Sequence, residues 1–177
     1  MTRYVAFLRA INVGGHNVTM PQLRAIVEAA GYGEVETFIA SGNVILASDE
    51  TAHRVETTLE QALERELGYA VQTFVRTPEQ LATIVSAEPF GPVADGHKVQ
   101  VGFLAEAPAV DVRRAVAALS NDYDELLVDG REVHWLTRGG ISGSKVKPSA
   151  FTKALGSPTT LRNVTTLRRL VAKYGSD

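Results

Sequence analysis

The segment VETFIASGNVILA, residues 35–47, decides the fold. Its two halves, 35–40 and 44–47, are rich in β-branched, aromatic and aliphatic residues, and they flank Ser41-Gly42-Asn43. Glycine and asparagine tolerate the positive φ angles that tight turns require. The segment therefore predicts a β-hairpin, and the patterns on either side predict the elements that it joins.

Helix and strand patterns lie on both sides of this hairpin. Before it, a β-rich run over 4–10 predicts a strand, and an apolar stripe predicts a helix that begins at Pro21 and stops at Gly31. After it, apolar residues at every fourth position from Val55 to Leu67 predict a second helix, and 71–76 predicts another strand. The first half of the chain thus has the order βαββαβ.

The same order recurs in the second half of the chain. Thr77 and Gln80 have the spacing of a capping box, which predicts a connecting helix before the repeat. A strand, a helix, a hairpin and two further helices are then predicted over 98–104, 112–119, 125–136, 150–155 and 164–174. No fourth strand is evident in this half, so one alternative is that strand 71–76 crosses over and serves both sheets.

These elements predict an α+β fold of two imperfect ferredoxin-like (βαββα) repeats that pack together, with mostly antiparallel sheets. The first repeat is expected over 1–76, a connecting helix and linker over 77–96, and the second repeat, with a basic C-terminal helix, over 97–177. In an alternative arrangement the repeats intertwine as one compact domain. A chain of 177 residues that is 45% hydrophobic can bury a core in either arrangement.

Composition excludes several classes of function. The chain contains no cysteine, which excludes disulfide frameworks, thiolate zinc sites and cysteine nucleophiles. No stretch of the sequence approaches the roughly 20 apolar residues of a membrane span. We therefore expect a cytoplasmic protein that does not contact membranes, with a monomer as the favoured state.

Charge is distributed unevenly along the chain. Between Arg138 and Ser176 there are eight basic residues and no Asp or Glu, whereas ten basic and nineteen acidic residues precede Arg138. The net charge of −2 conceals this asymmetry. A basic region on an otherwise acidic protein indicates a surface that faces an anion.

Four separated motifs resemble a known family. They are RAINVGG over 9–15, Ser41-Gly42-Asn43-Val44, Ser144-Lys145, and TTLRN over 159–163. In this order, across nearly the whole chain, they resemble the family catalogued as domain of unknown function 1697. The resemblance implies the same two-repeat α+β arrangement. It implies no reaction, because that family is named for the absence of an assigned activity.

Clusters of glycine, hydroxyl and basic residues lie at expected strand ends and helix starts. Loop glycines before a helix let backbone N–H groups face an anion, and the helix dipole favours negative charge there. We expect the clusters to converge in a basic cleft between the repeats and to bind a nucleotide, a phosphorylated metabolite or a nucleic acid. The expected ligand-binding residues are Arg9, Asn12, Gly14, Gly15, Ser41, Asn43, Ser144, Lys145, Thr160, Arg162 and Asn163.

Two other functions fit the same residues. An enzyme that acts on a phosphorylated small molecule would hold charge with Arg9, Lys145 and Arg162, and His16 would be its candidate general acid or base. A protein-interaction module would instead present the basic face to an acidic partner. The four histidines show no i, i+4 pairing, so we expect no metal, and nothing in the sequence implies a cofactor.

Each cluster also has a purely structural alternative. The glycine-serine segment before Lys145 lacks the spacing of a Walker A motif and is equally typical of a mobile surface loop. The turn at Asn43 is explained by hairpin chemistry alone. Arg162 and Asn163 are equally typical of a helix cap with an ion pair.

Overall fold

The computed structural model describes residues 1–39 and 42–175, and the chain forms two α+β units. The first unit comprises 1–82 and the end of the chain from Leu170, and the second comprises 83–169. Each unit contains one four-stranded antiparallel sheet. The predicted α+β fold of two repeated units is confirmed.

The first unit follows the order predicted from its sequence. Its elements are β1 Thr2–Leu8, α1 Met20–Ala29, β2 Gly33–Thr37, β3 Asn43–Ser48, α2 Ala52–Leu67 and β4 Thr73–Arg76. The strands lie in the order β2-β3-β1-β4, which is that of a ferredoxin-like sheet. One face of this sheet packs on α1 and α2 through a core that includes Ala6, Leu46 and Leu59.

Local sequence signals set the ends of these helices. Thr19 caps α1, because its Oγ1 accepts from Gln22 N at 3.2 Å while Gln22 Oε1 accepts from Thr19 N at 2.9 Å. The same exchange between Thr77 and Gln80 begins α3, Pro78–Ser86. α2 ends at Gly68, whose φ of 81° is left-handed and is readily adopted only without a Cβ.

The second unit repeats this topology with shorter covering helices. After α3 its elements are β5 Lys98–Phe103, α4 Val110–Ala117, β6 Asp124–Asp129, β7 Glu132–Thr137, α5 Pro148–Leu155, β8 Thr160–Asn163 and α6 Val164–Tyr174. The strand order β6-β7-β5-β8 matches that of the first sheet position by position. Its core on the side of α4 and α5 includes Val116, Trp135 and Phe151.

β8 is the element that sequence reasoning missed. It pairs antiparallel with β5, with Thr160 opposite Phe103 and Arg162 opposite Val101. The alternative in which strand 71–76 serves both sheets is wrong, because β4 belongs to the first sheet and β8 fills the same position in the second. β8 has only four residues and passes directly into α6, so no turn residue separates it from the helix pattern.

The repeat extends to individual side chains on the edge strands. Arg76 lies opposite Val5 in β4, and Arg162 lies opposite Val101 in β8. Both arginines are buried, and Nη1 of each donates to the carbonyl of the preceding residue at 2.9 Å. The two units therefore share a buried arginine as well as a strand order.

The end of α6 lies against the first sheet. Tyr174 Oη donates to Glu36 Oε2 at 2.7 Å, and Lys173 Nζ donates to the same oxygen at 2.9 Å. These two hydrogen bonds hold the pKa of Glu36 below its usual value. The rings of Phe38 and Tyr174 also meet edge to face with centroids 6.2 Å apart. These contacts explain why the chain from Leu170 belongs to the first unit.

Candidate functional site

The connection between β1 and α1, residues 9–19, carries most of the predicted ligand residues of the first unit. We call it the first-unit loop. It begins at Arg9, whose backbone N–H donates to the Gln72 carbonyl at 2.9 Å. Arg9, Asn12, Gly14 and Gly15 are all exposed on it. The fold therefore keeps these four predicted residues on one surface loop.

Side chains hold the first-unit loop in place. Asn12 Oδ1 accepts from Val18 N at 2.7 Å, so the amide closes the loop on itself. Tyr69 Oη donates to the Ile11 carbonyl at 2.9 Å. The ring of His16 stacks on that of Tyr69 with centroids 3.7 Å apart and an interplanar angle of 21°. Tyr69, which sequence reasoning did not single out, thus braces the loop at two points.

Gly14 and Gly15 are required by backbone conformation rather than by packing. Their φ angles are 69° and 87°, a region that other residues adopt only with strain. Within the described residues, apart from the glycine itself and its two chain neighbours, no heavy atom lies within 4 Å of the position that a Cβ would take on either glycine. The space beside the backbone at these two glycines is therefore open.

Asn43 stabilises the hairpin from a buried position. It is 1% exposed, and its Nδ2 donates to the Phe38 carbonyl at 3.0 Å, while its own carbonyl accepts from Phe38 N at 3.0 Å. Asn43 and Asn12 both line a shallow pocket of about 260 Å³ in the first unit, whose other walls include Met20 and Ile39. The structure thus brings these two predicted residues together. Ser41 lies outside the described residues.

The glycine-serine segment of the second unit, residues 139–145, closes on carboxylates of its own chain. We call it the second-unit loop. Ser144 Oγ donates to Asp124 Oδ1 at 2.6 Å, and Lys145 N donates to Asp124 Oδ2 at 2.8 Å. Lys145 Nζ pairs with Asp122 Oδ1 at 2.6 Å. The donors that predict an anion site therefore already contact anions.

Asp124 is the centre of this arrangement, and sequence reasoning missed it. The residue is 0% exposed and also accepts from Trp135 Nε1 at 2.9 Å and Asn121 Nδ2 at 3.0 Å. Burial would raise its pKa, but hydrogen bonds from Ser144 Oγ, Trp135, Asn121 and the Lys145 backbone outweigh burial and hold the pKa below its usual value. Asp124 is therefore a fully paired buried carboxylate at the start of β6.

Packing requires two glycines of the second-unit loop. A Cβ on Gly139 would lie 2.8 Å from Tyr123 Oη, and one on Gly143 would lie 2.5 Å from the same atom. Tyr123 Oη is fixed in turn by donating to the Gly140 carbonyl at 2.7 Å. Glycine in this loop makes room for a tyrosine.

The last predicted cluster lies on β8 rather than at the start of the final helix. Arg162 is 8% exposed, and its Nη1 donates to Thr160 Oγ1 at 2.7 Å. Burial lowers the pKa of Arg162 to about 10, which still leaves the guanidinium charged at neutral pH. Asn163 Oδ1 accepts from Thr165 N at 2.9 Å and so caps the first turn of α6.

Two kinds of feature do not occur in the part of the chain that the structure describes. Within residues 1–39 and 42–175, no group of three or more His, Asp or Glu side chains is placed to hold a metal ion. In the same ranges, no helix combines the length and apolar character needed to cross a membrane.

Comparison with known proteins identifies a fold and a family. The solved structure of the conserved bacterial protein SP0830 from Streptococcus pneumoniae is similar, with a TM-score of 0.73 and 24% sequence identity, and the match covers 97% of each chain. At this identity the likeness shows the fold alone. No curated protein matches the chain. A family model matches residues 1–134, a range that contains the first two of the four motifs, and it is the family that the motifs predict. The chain therefore belongs to the family described as "Protein of unknown function (DUF1697)".

Proposed function

We propose that the protein binds an anionic ligand, namely a nucleotide, a phosphorylated metabolite or a nucleic acid, and that the first-unit loop receives it. The observation that carries the proposal is the pair of adjacent left-handed glycines, Gly14 and Gly15, on an exposed loop that Asn12 and Tyr69 brace. Arg9, exposed at the start of the same loop, supplies positive charge.

The chemistry of this loop suits phosphate oxygens. Backbone N–H groups beside glycine allow close approach because no side chain obstructs them. A guanidinium group forms charge-assisted hydrogen bonds with phosphate that are roughly twice as strong as neutral ones. Asn12 Oδ1 accepts a hydrogen bond and Tyr69 Oη donates one, and both bonds already order the loop. Less free energy is therefore lost in ordering the loop when a ligand binds.

Residues of the second unit support the proposal less. Ser144 and the Lys145 backbone donate to Asp124, so a ligand anion would have to compete with a carboxylate that is already bound. Arg162 is buried and donates to Thr160. The proposal therefore depends on the first-unit loop.

The basic C-terminal region is also largely paired within each unit. Arg138 pairs with Glu125 at 3.9 Å and Arg168 with Glu88 at 3.9 Å, while Lys173 pairs with Glu36 at 2.9 Å. Exposed pairs of this kind are weak and exchangeable, so they reduce the attraction of the region for an anion without abolishing it.

Arg9→Ala tests the proposal. Calorimetry with ATP, and fluorescence anisotropy with a short single-stranded RNA, measure the affinity. Loss of a hydrogen bond from a charged donor costs about 1.5–3 kcal/mol, so binding should weaken by about tenfold to a hundredfold. Arg24→Ala is the matched control, because it removes the same charge from an exposed site in the same unit, where Arg24 pairs with Glu28. Equal affinities of the two variants, or no binding by the parent protein, contradict the proposal.

Salt dependence separates the ligand classes. Binding to a nucleic acid releases counterions, so its affinity should fall steeply as salt rises. A nucleotide or phosphorylated metabolite contacts fewer charges and should show a shallower dependence together with saturation at one site.

An enzyme that acts on a phosphorylated small molecule is the second candidate. The stack of His16 on Tyr69, at 3.7 Å, favours it, because a fixed imidazole can transfer a proton to a ligand held by the loop. The test is phosphate release from a panel of nucleotides and sugar phosphates. His16→Gln should abolish turnover while binding persists, and His53→Gln, at an exposed site on α2, should not. Equal turnover in both variants contradicts this role.

We place the binding activity in the cytoplasm and propose that the protein acts as a monomer. The absence of cysteine supports a reducing compartment, since stable extracellular domains often rely on disulfides. Light scattering of the purified protein measures the oligomeric state directly, and a stable dimer contradicts the second part of this proposal.

A further inference from the structure

The second unit contains a solvent-open cleft, here called the pocket, whose space amounts to about 320 Å³ when the part open to solvent is counted, and none of the predicted site residues lines it. Its wall is mostly apolar with a few polar groups, which is the composition of small-molecule sites. The apolar residues come from α3, the following loop, β5 and the start of α6: Ile84, Val85, Phe90, Val93, Val99 and Val164. Three groups that can form polar contacts also line it: Glu88, His134 and Arg168.

His134 is the buried polar side chain of this pocket. It lies on β7 opposite Val101 and is 3% exposed. Across residues 1–39 and 42–175, neither of its imidazole nitrogens has a hydrogen-bond partner. Every fully buried side-chain nitrogen or oxygen in those ranges has a hydrogen-bond partner. Since the two imidazole nitrogens have none, they are not fully buried, and they keep an opening to the pocket that His134 lines. A polar group of this kind gains free energy when a ligand pairs with it.

The protonation state of His134 restricts what it can bind. Burial lowers its pKa, against the opposing charges of Asp129 and Glu132. The imidazole is therefore neutral at neutral pH and offers one N–H donor and one nitrogen acceptor. Such a group pairs with a hydroxyl or carbonyl group of a ligand.

Arg168 brings a positive charge to the same pocket. It pairs with Glu88 at 3.9 Å, and the two side chains are 51% and 57% exposed. A pair this long and this exposed is worth about 0–1 kcal/mol, so a ligand carboxylate can take the place of Glu88. Glu88 also has a φ of 39°, a strained conformation for a residue with a Cβ and one that clusters at binding sites.

We propose that this pocket binds a small carboxylate that has an apolar body and one further hydrogen-bonding group. The valines and Phe90 contact the apolar body, Arg168 binds the carboxylate, and His134 pairs with the neutral polar group. This site and its ligand are independent of the first-unit loop, because no residue of that loop lines the pocket.

The test is a titration of the protein with 2-hydroxy-4-methylpentanoate, followed by NMR signals of the Val99 and Val164 methyl groups and of the His134 ring. Saturable shifts at these signals are expected. The corresponding amide, which lacks the charge, and 4-methylpentanoate, which lacks the hydroxyl, should each bind about tenfold more weakly, as expected for the loss of one hydrogen bond.

Two variants assign the groups. Arg168→Gln should abolish the preference for carboxylate over amide, whereas Arg169→Gln, a neighbouring arginine that does not line the pocket, should retain it. His134→Ile should abolish the preference for the hydroxyl. No shift of the pocket signals at millimolar ligand, or equal affinities in the two arginine variants, overturns the proposal. Arg9→Ala should leave this binding unchanged, so the result is distinguishable from failure of the first-unit loop to bind an anion.

Discussion

The two units share one strand order but place their glycine-rich loops differently. In the first unit the long loop follows β1 and spans 9–19, whereas the equivalent connection in the second unit, 104–109, is short. The second unit instead has its glycine-rich segment after β7, at 139–145. Both loops contain a Gly-Gly pair, yet the second-unit loop closes on Asp124, whereas hydrogen bonds to neutral groups hold the first-unit loop.

This difference shows what a glycine-rich, hydroxyl-bearing loop can be used for. Its N–H and O–H groups can pair with a ligand anion or with a carboxylate of the same chain, and both uses select the same residue types. In the second unit the chain supplies the anion, so the loop contributes to folding. Among the described residues of the first unit, no carboxylate plays this part beside Gly14 and Gly15, which is why our proposal of ligand binding concerns that loop.

Asp124→Ala should have the largest effect on stability and would show that the second-unit loop depends on this carboxylate. The substitution leaves buried donors from Trp135, Ser144, Asn121 and the Lys145 backbone without their acceptor. Breaking a buried charged network typically costs about 3–5 kcal/mol. Urea denaturation measures the free energy of unfolding.

The neighbouring aspartate provides the control for this prediction. Asp122 is exposed and pairs with Lys145 Nζ at the surface, so Asp122→Ala should change stability far less. The pKa of Asp124 is lowered in the folded state, so its contribution to stability is present above its unfolded pKa of about 3.8 and is lost as pH falls through the folded value. If both variants lose equal stability at neutral pH, Asp124 does not hold the loop.

Gly139→Ala should have the next largest effect. The new Cβ would lie 2.8 Å from Tyr123 Oη and 3.5 Å from the ring, so the clash is with the hydroxyl alone. We expect a loss of about 1–3 kcal/mol, typical of an overpacked site. In a Tyr123→Phe background the same substitution should cost almost nothing, because only ordinary contacts remain. Chemical denaturation of the four proteins of this double-mutant cycle measures the coupling.

Gly15→Ala in the first unit distinguishes packing from backbone conformation. No described atom is near its Cβ position, but φ is 87°, so the expected cost of about 1–2 kcal/mol arises from strain alone. Tyr123→Phe should not relieve it. If Tyr123→Phe restored the stability of both glycine variants, the cost at Gly15 would not arise from backbone strain alone, and the contrast between the two loops would fail.

His134→Ile should change the pH dependence of the second unit. His134 lies opposite Val101 as Ile45 lies opposite Val5 in the first unit, so the variant makes the two sheets alike at this position. Burial lowers the pKa of His134, against Asp129 and Glu132, whereas an unfolded histidine binds a proton near pH 6.5. The unfolded state therefore binds more protons between the two values, and stability falls as pH drops below about 6.5.

The measurement is the free energy of unfolding at about pH 7.5 and at about pH 5.5, on either side of the unfolded pKa. The parent protein should lose stability between these values, and His134→Ile should lose less. Arg168 and Glu88 line the same pocket and can also affect the pH dependence. The pH dependence of Arg168→Gln is therefore measured as well, so that the effect of this ion pair is distinguished from that of the His134 imidazole. An unchanged pH dependence in His134→Ile shows that the imidazole is not the responsible group.

Local signals made most of the fold predictable. The capping box of Thr19 and Gln22, the capping box of Thr77 and Gln80, and Gly68 at the end of α2 all act within a few residues, so the sequence contains the whole interaction. β8 could not be predicted this way. Its four residues become a strand only because β5 offers an unpaired edge, and that edge is formed far away in the sequence.

The candidate site was predictable only in part, for the same reason. Ser144 and Lys145 are recognisable as donors, but their acceptor, Asp124, lies twenty residues before Ser144 and resembles any aspartate near a turn. Arg162 is recognisable as a cation, but its burial follows from β8. His134 alternates with core residues in a strand pattern, and only the packed structure shows that it opens to a pocket.

The smallest predicted effect concerns the helix that follows the first strand of each unit. α1 begins with the Thr19 capping box, whereas α4 begins after Ala109, which has the extended backbone of a cap, φ −66° and ψ 162°, but no side-chain hydrogen bond. Ala109→Ser should supply the missing acceptor to the first turn and stabilise the protein by about 0.5–1 kcal/mol. Thr19→Ala should destabilise it by a similar amount. Thermal and urea denaturation measure the stability of both variants. If Ala109→Ser destabilises the protein, a side chain at position 109 does not cap the first turn of α4, although the backbone there has the geometry of a cap.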